Sequence, residues 1–344
     1  MAGMTAKLLS AEVIPTSEYD GDVSLLDSFD NTKLVAINTC PLWGIVRYTY
    51  HKTTHSGTGR SMALEAGSAA HEVFAAHRLY AFKEYAADFY DAAPESVLHA
   101  FDVHGKRIFG EERFAAMCDE DYRTRSQQFA TTALYNCGFY DDPGDRRRTV
   151  TNIEEMCLVY MDRFDWAKEL PYWEDAFLGI EIPVDVVVKL NYIPDGSTQE
   201  NELYIRFIGK ADGIHFLKDT NELRVHENKT AARLGEAWEM SWETNHQPTG
   251  YMIAVSAMLR RNVRQALMLG SCLPLPRAYA VNGLARVVVR REPWQLQEWM
   301  EWLLHTVLIH TEWKDKPLNA PQYTHSCNRY FRPCSFITLC ATQP

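Results

Sequence analysis

One stretch of the chain, residues 203–230, constrains the fold more than any other. Apolar and polar residues alternate along it on both sides of Asp219-Thr220-Asn221, a sequence that favours a turn. Alternation with a period of two is typical of a β-strand that buries one face. We therefore predict two adjacent strands of one sheet, joined by this turn.

Two acids and one amine are predicted to meet on these strands. Residues two apart on a strand point to the same face, so Glu227 and Lys229 emerge together while Asn228 faces the other way. Asp212 lies on the preceding strand, where pairing brings its carboxylate to the same rim. Carboxylates are hard ligands for Mg2+ or Mn2+, and an ammonium beside the ion orients water or stabilises the transition state. These residue types therefore suit metal-assisted hydrolysis of a phosphodiester.

The same residues resemble a known family. The sequence GKAD at 209–212, followed by ENK at 227–229, is similar to the G-x-x-D and E-x-K motifs of the PD-(D/E)xK nuclease superfamily. The resemblance is to its RecB-like and AddB-like branch, which includes Cas4-type nucleases with an iron-sulfur cluster. It implies an α/β (α+β) fold with a restriction-endonuclease-like core, in which helices flank a central mixed β-sheet.

A long helix is predicted upstream, at residues 61–90, because this stretch is rich in Ala, Leu, Glu and aromatic residues and lacks proline. Gly67, His71 and Phe74 lie on one face of that helix. The resembled branch carries a G-x-x-x-H motif there, which implies that His71 binds a metal, and imidazole suits Mn2+ better than Mg2+. The resemblance thus implies that one or two cations are held by His71, Asp212, Glu227 and the Asn228 carbonyl.

A second helix is predicted to begin near Gln247, with Tyr251 four residues later on the same face. This pair resembles the Q-x-x-x-Y element that follows the catalytic lysine in the same branch. The resemblance implies that Gln247 and Tyr251 steady the site and the scissile strand, and that Lys229 positions the attacking water. The implied catalytic residues are Asp212, Glu227, Lys229, Gln247 and Tyr251.

Eight cysteines occur in the chain, and four of them resemble a cluster-binding layout. One lies near the N-terminus and three lie in the last eighteen residues, namely Cys40, Cys327, Cys334 and Cys340. In the resembled branch this arrangement binds a 4Fe-4S cluster. Here six residues separate Cys327 from Cys334, an interval that is usually shorter in the family. This longer interval leaves three options: a cluster with a longer loop, a Zn2+ site, or no metal. The full set of motifs favours the cluster.

The formal net charge of -10 argues against a protein that coats nucleic acid, because phosphate binding depends mainly on cationic side chains. The arginines at 146–148, at 260, 261 and 264, and at 290–291 are candidate contacts for a nucleic acid strand, although such groups more often form a solvated surface. No apolar run is long enough to cross a membrane and no signal peptide is recognised, so we expect a cytoplasmic protein without a membrane partner. In a reducing cytosol the cysteines are expected to bind metal rather than form disulfides.

We expect one nuclease domain over residues 1–344, a length that suffices for one large core. The composition is that of a globular protein, without internal repeats. The predicted parts are a segment at 31–90 with Cys40 and the motif helix, a helical insertion at 91–175, a catalytic core at 176–320 and a Cys-rich arm at 321–344.

The start of the sheet is predicted at residues 177–193, where apolar residues alternate with Glu181, Pro183 and Asp185. Residues 1–30 are expected to form an irregular or partly ordered segment. Glu181 could be a further acid of the site, since such sheets often place one there, but the pattern favours an exposed residue at a strand end.

The first functional hypothesis is a Mg2+- or Mn2+-dependent exonuclease that acts on DNA ends or single strands in replication, recombination or defence. A second is a catalytically inactive relative that binds DNA or a partner such as a helicase or recombinase, with a structural iron-sulfur or zinc site. The intact set of Asp212, Glu227 and Lys229 argues against the second. A third is a Zn2+ protein with an unrelated hydrolase sheet. The sequence does not decide whether the substrate is DNA or RNA, or in which direction a strand is degraded.

Overall fold

A computed structural model gives the three-dimensional structure of the chain. Much of the predicted helical insertion at 91–175 lies outside the residues that it describes, as do the residues between Cys327 and Cys334. The described residues are 5–51, 62–85, 106, 110–112, 130–164, 175–217, 220–274, 283–323, 327, 334 and 336–342.

The fold is built on a mixed β-sheet of seven strands, which confirms the predicted α/β class. The strands are β1 (Ala6–Pro15), β2 (Ser28–Phe29), β3 (Asp175–Pro194), β4 (Asn201–Leu217), β5 (Glu222–Ala231), β6 (Val263–Cys272) and β7 (Leu284–Arg290). Their order is β1-β3-β4-β5-β6-β7, and β2 pairs in parallel with β4. β5 and β6 also pair in parallel, whereas β4 with β5 and β6 with β7 are antiparallel.

Helices flank this sheet. They are α1 (Asn31–Thr39), α2 (Pro41–Tyr48), α3 (Met62–Tyr85), α4 (Val150–Arg163), α5 (Glu236–Ser241), α6 (His246–Leu259), α7 (Pro293–Trp313) and α8 (Ile337–Thr342), and residues 130–136 are also helical. A parallel strand pair needs a crossover connection, and α5 and α6 supply it between β5 and β6. None of the described helices combines the length and apolar character needed to span a membrane.

The chain divides into two compact units. The first unit comprises residues 1–60, 185–209 and 292–344, and the second comprises 61–184 and 210–291. In the first, α7 packs against β1, α1 and α2. In the second, α3 packs against α4 and β5, and α6 packs against β5 and β6. The predicted catalytic and metal-binding residues all belong to the second unit, and the four predicted cluster cysteines all belong to the first.

The predicted strand pair is confirmed as β4 and β5. Gly213 lies opposite His226 in their antiparallel register, so Asp212 and Glu227 form the next cross-strand pair. Both predicted motif helices are also present. The helix predicted at 61–90 is α3, and the helix predicted near Gln247 is α6, which begins one residue earlier.

The expectation of an irregular or partly ordered N-terminal segment is wrong for residues 6–15. Residues 6–15 form β1, which pairs with β3 from Val186 to Pro194, so the sheet does not begin at residue 177. Leu8 is the one residue of β1 that is buried. An edge strand with so little burial has no apolar alternation for sequence analysis to detect.

Small residues bring α3 close to β5. Ala66 and Ala69 on α3 are buried. A Cβ on Gly67 would lie 3.2 Å from Thr230 Oγ1 of β5, so a larger side chain would push the helix outward. His71 follows Gly67 by about one helical turn, and the close approach therefore carries its imidazole toward the sheet.

A glycine at the contact between α1 and α2 gives a stability prediction. A Cβ on Gly44 would overlap the Ile37 backbone and lie 2.7 Å from the Ala36 carbonyl carbon. Because backbone atoms cannot swing aside, we expect Gly44→Ala to lower the free energy of unfolding by about 1–3 kcal/mol, despite the higher helix propensity of alanine. Urea denaturation measures the loss, and Asn38→Ala at an exposed position of α1 is the control. Wild-type stability of Gly44→Ala would contradict this packing.

Candidate functional site

Three side chains with metal-binding atoms converge in the second unit: His71 from α3, Glu181 from β3 and Asp212 from β4. Their ligand atoms all lie within 4.8 Å of one another. Among the residues that the structure describes, this is the only such trio of His, Cys, Asp or Glu. His71 Nδ1 lies 3.2 Å from Asp212 Oδ1. Two carboxylates and an imidazole at this spacing can hold one divalent cation.

Asp212 is almost fully buried, and hydrogen bonds hold both its main chain and its side chain in place. The Asn228 backbone N–H donates to Asp212 Oδ2 at 2.6 Å. Arg78 Nη1 donates to the Asp212 carbonyl at 2.6 Å, and the Asp212 N–H donates to Glu227 Oε1 at 3.4 Å. Oδ2 is therefore engaged with β5, whereas Oδ1 faces His71.

Glu227 and Lys229 emerge on the same face of β5 and form an ion pair. Lys229 Nζ lies 2.7 Å from Glu227 Oε2, and Gln247 Nε2 donates to the same oxygen at 3.3 Å. The side chain of Asn245 caps α6 by accepting from the Gln247 N–H at 2.9 Å, which fixes where the helix begins. Tyr251 lies one turn further along α6 and is buried. Both charged residues of the E-x-K motif and the first residue of the Q-x-x-x-Y motif therefore meet at the Glu227 carboxylate.

The expectation that Glu181 is an exposed strand-end residue is wrong. Its side chain is 5% exposed and forms an ion pair with Lys210. Glu181 has a φ of 52°, which is left-handed, and the alternation of the strand breaks there, so that Ile180, Glu181 and Ile182 are all buried. A local break of this kind re-aims a side chain, as a β-bulge does. Sequence alternation carried no signal for this acid, because it assigns Glu181 and Ile182 to opposite faces.

Neighbouring charges set the protonation of the trio. Burial raises the pKa of Asp212, but the charge and hydrogen bond of His71 and the charge of Lys229 outweigh burial and hold the pKa far below its usual range. Burial lowers the pKa of His71, but Asp212 outweighs it and the pKa is raised. Burial and the Asp212 charge raise the pKa of Glu181, against the opposing charge of Lys210. Asp212 is thus ionised, and His71 holds a proton more strongly than a free imidazole does.

The pKa values of Glu227, Lys229 and Tyr251 are all raised. Burial and repulsion from Asp212 raise the pKa of Glu227 to about 7, although Lys229 opposes the shift. Burial lowers the pKa of Lys229, but Glu227 and Asp212 outweigh it and raise the pKa well above its ordinary value. Burial and the charge of Glu227 raise the pKa of Tyr251 to about 12. Near neutral pH, Glu227 can therefore exchange a proton, whereas Lys229 stays cationic and Tyr251 stays neutral.

The side chain of Asn228 is fully buried. Its Oδ1 accepts from the Tyr160 hydroxyl of α4 at 2.8 Å. Its backbone N–H donates to Asp212 Oδ2 at 2.6 Å, and its side-chain Nδ2 donates to the same oxygen at 3.5 Å. Of the predicted metal ligands, His71 and Asp212 belong to the trio. Glu227 lies beside the trio, against the main chain of Asp212.

The four cysteines predicted to share a metal are free thiols in the first unit. Burial raises the pKa of Cys340, and negative charge on Cys40, Cys334 and Cys327 raises it further, an effect that requires nearby sulfurs. The Cys334 N–H donates to the Cys327 carbonyl at 2.6 Å. The Phe336 N–H donates to Cys334 Sγ at 3.5 Å. Residues distant in sequence are thus gathered around one group of thiols.

The spacing of these sulfurs is wider than a single metal ion requires. Among the described cysteines, no three sulfurs lie within 4.8 Å of one another. A tetrahedral Zn2+ ion with bonds of about 2.3 Å would hold its sulfurs about 3.8 Å apart. The thiolates of a 4Fe-4S cluster bind four different irons and therefore stand further apart than the ligands of one ion.

The predicted arginine contacts differ in exposure. Arg291 is buried, and its guanidinium donates to Thr249 Oγ1 and to the Trp242 carbonyl, both at 2.9 Å. Arg291 therefore supports the start of α6. Its burial contradicts both its candidate role as a nucleic acid contact and the favoured solvated position. Arg148 pairs with Asp145 at 2.7 Å. The exposed arginines of the predicted runs are Arg146, Arg147, Arg260, Arg261, Arg264 and Arg290.

The site can be assigned a function only through its own chemistry. Neither a protein-family model nor a curated protein matches this chain.

Proposed function

We propose that this chain is a metal-dependent nuclease that hydrolyses phosphodiester bonds of DNA, as an exonuclease on ends or single strands, and that its sheet is a restriction-endonuclease-like core. The observation that carries the proposal is the convergence of His71, Glu181 and Asp212 beside the ion pair of Glu227 and Lys229. The trio suits a divalent cation, and the ion pair suits the activation of water.

The residues of the trio fit a resident Mg2+ or Mn2+ ion. Glu181 Oε1 is buried and has no hydrogen-bond partner among the described residues, a costly arrangement that a bound cation would relieve. A cation held by His71, Glu181 and Asp212 would polarise a phosphoryl oxygen as a Lewis acid. An imidazole among the ligands favours Mn2+.

Glu227 and Lys229 have different roles in this proposal. Glu227, with a pKa of about 7, accepts the proton of the attacking water. Lys229 keeps its proton because its pKa is raised, so it orients that water and stabilises the charge that develops on the phosphate. Gln247 donates to Glu227 Oε2 and holds the carboxylate in place. Tyr251 stays neutral and offers a hydroxyl to the scissile strand.

End-labelled nucleic acids test the proposal. We expect the purified protein to release short products from linear DNA with Mn2+ or Mg2+, to stop when EDTA is added, and to leave closed circular DNA intact. An RNA substrate of the same sequence tests whether the protein distinguishes DNA from RNA. Protein that binds Mn2+ but leaves every substrate intact would refute nuclease activity and favour a relative that only binds DNA or a partner.

Metal binding is predicted to depend on pH. His71 must lose a proton before its nitrogen can bind a cation, and its pKa is raised above the ordinary 6.5. Glu181 is the other ligand whose pKa is raised, so a proton on its carboxyl group must also leave before the cation binds. Because the cation competes with these protons, we expect the Kd for Mn2+ to fall about tenfold per pH unit for each displaced proton as the pH rises from about 6 to 7. Calorimetry in buffers of different ionisation enthalpy counts the protons released, and a constant Kd from about pH 6 to 8 would contradict the assignment.

For the first unit we propose a 4Fe-4S cluster held by Cys40, Cys327, Cys334 and Cys340. The thiols influence one another's charge, yet no three of the described sulfurs lie within 4.8 Å, and this combination suits four irons better than one Zn2+. The Phe336 N–H points at Cys334 Sγ, a contact that stabilises an iron-bound thiolate. The cluster would tie the residues around Cys40 to those around the three C-terminal cysteines.

A further inference from the structure

Arg78 is a buried cation at the second unit's site that no motif includes. It lies on α3 two turns after His71 and is 0% exposed. Burying a guanidinium is costly unless hydrogen bonds and opposite charges compensate it. A residue retained at such cost near the trio needs a physical reason beyond packing.

The contacts of Arg78 join the two elements that carry His71 and Asp212. Its Nε donates to the Phe74 carbonyl of α3 at 3.1 Å, and its Nη1 donates to the Asp212 carbonyl of β4 at 2.6 Å. One planar guanidinium therefore bridges the helix that carries His71 and the strand that carries Asp212. Because its donors have a fixed fork geometry, Arg78 sets the separation of these two backbones more rigidly than a lysine would.

The charge of Arg78 also acts on the acids of the trio. Burial raises the pKa of Asp212 and of Glu181, and the positive charge of Arg78 is among the effects that lower both. The third nitrogen, Nη2, is buried and has no hydrogen-bond partner among the described residues. A buried donor without a partner destabilises the fold. Arg78 therefore forms its two bridging hydrogen bonds although its Nη2 group is left buried without a partner among the described residues.

We propose that Arg78 is a positioning residue for the cation site, which holds His71 and Asp212 at the spacing that one metal ion requires. This inference depends on the proposed cation at His71, Glu181 and Asp212. It makes a prediction opposite to that of simple electrostatics. Removing a positive charge near a cation site should tighten cation binding, whereas removing a bridge between two ligand-bearing elements should weaken it.

Direct titration with Mn2+, followed by calorimetry or by the electron paramagnetic resonance of free Mn2+, separates these outcomes. We expect Arg78→Met to raise the Kd by about tenfold or more, the range typical for residues that orient metal ligands. Arg78→Lys keeps the charge but not the fork, so its Kd should also rise. Arg148→Met, which removes an arginine from a partly exposed pair with Asp145, is the matched control and should leave the Kd unchanged.

Each result decides a separate point. Wild-type protein that does not bind Mn2+ would overturn the proposed function. Wild-type binding with an equal or lower Kd in Arg78→Met would overturn the positioning role and leave the proposed function standing. A purely structural role would lower the free energy of unfolding but leave the Mn2+ affinity of the folded protein unchanged. If Arg78→Met does not fold, the Kd of Arg78→Lys decides, because a wild-type value there would also overturn the inference.

Discussion

Replacing Lys229 with alanine is expected to lower the rate of Mn2+-dependent DNA hydrolysis by about 100-fold to 1000-fold, the usual cost of removing one preorganised donor from a transition state. Lys229 is placed by its 2.7 Å ion pair with Glu227, and its raised pKa keeps it cationic at neutral pH. The loss should appear in the single-turnover rate on end-labelled DNA. Binding of Mn2+ should persist, because Lys229 is not among the three converging ligands.

Two further variants make this result specific. Lys106→Ala removes the same charge from an exposed pair with Glu111 and should retain full activity. Asp212→Asn should lose both activity and Mn2+ binding, because it changes a ligand rather than a donor to the substrate. A Lys229→Ala protein with wild-type turnover would exclude the role given to this amine.

Replacing Cys334 with serine is expected to remove the cluster of the first unit and to lower the stability of that unit by several kcal/mol, since metal binding at structural sites contributes directly to folding. Serine keeps the size of the side chain but is a much poorer ligand for iron. Iron and acid-labile sulfide should fall from about four of each per chain to near zero. Thermal denaturation of anaerobically purified protein measures the accompanying loss of stability.

The matched control for this variant is Cys137→Ser. Cys137 is an exposed free thiol whose Sγ donates to the Leu134 carbonyl, and it belongs to the other unit. Its replacement should leave iron, sulfide and stability unchanged. Colourless wild-type protein with one Zn2+ per chain would show that the four cysteines hold a single ion instead.

The parts of the fold that could be predicted from sequence are those set by local pattern. The pair of strands β4 and β5 was predictable because alternation, a turn and the spacing of Asp212 and Glu227 all lie within one continuous stretch. The helices α3 and α6 were predictable because their residues favour helix over many consecutive positions. β1 was missed because it is a mostly exposed edge strand, whose pairing with β3 depends on residues distant in sequence.

The missing parts of the site depend on tertiary structure. Glu181 was named as a candidate acid but was expected to be exposed, because its left-handed backbone breaks the alternation of β3 and strand pattern alone assigns it to the exposed face. Arg78 was missed because an arginine on a helix is usually exposed, and only packing against β4 reveals its two carbonyl contacts. His71 was selected through its resemblance to a motif, and only the folded chain places its Nδ1 3.2 Å from Asp212.

The most direct test of the central claim is the anomalous scattering of Mn2+ in crystals of the protein. We predict one strong peak about 2–2.5 Å from the ligand atoms of His71, Glu181 and Asp212, the range of typical cation–ligand distances. The same peak should be absent from crystals of Asp212→Asn soaked under identical conditions. A Mn2+ peak elsewhere in the second unit, with none among these three side chains, would contradict the proposed metal site and the nuclease mechanism that depends on it.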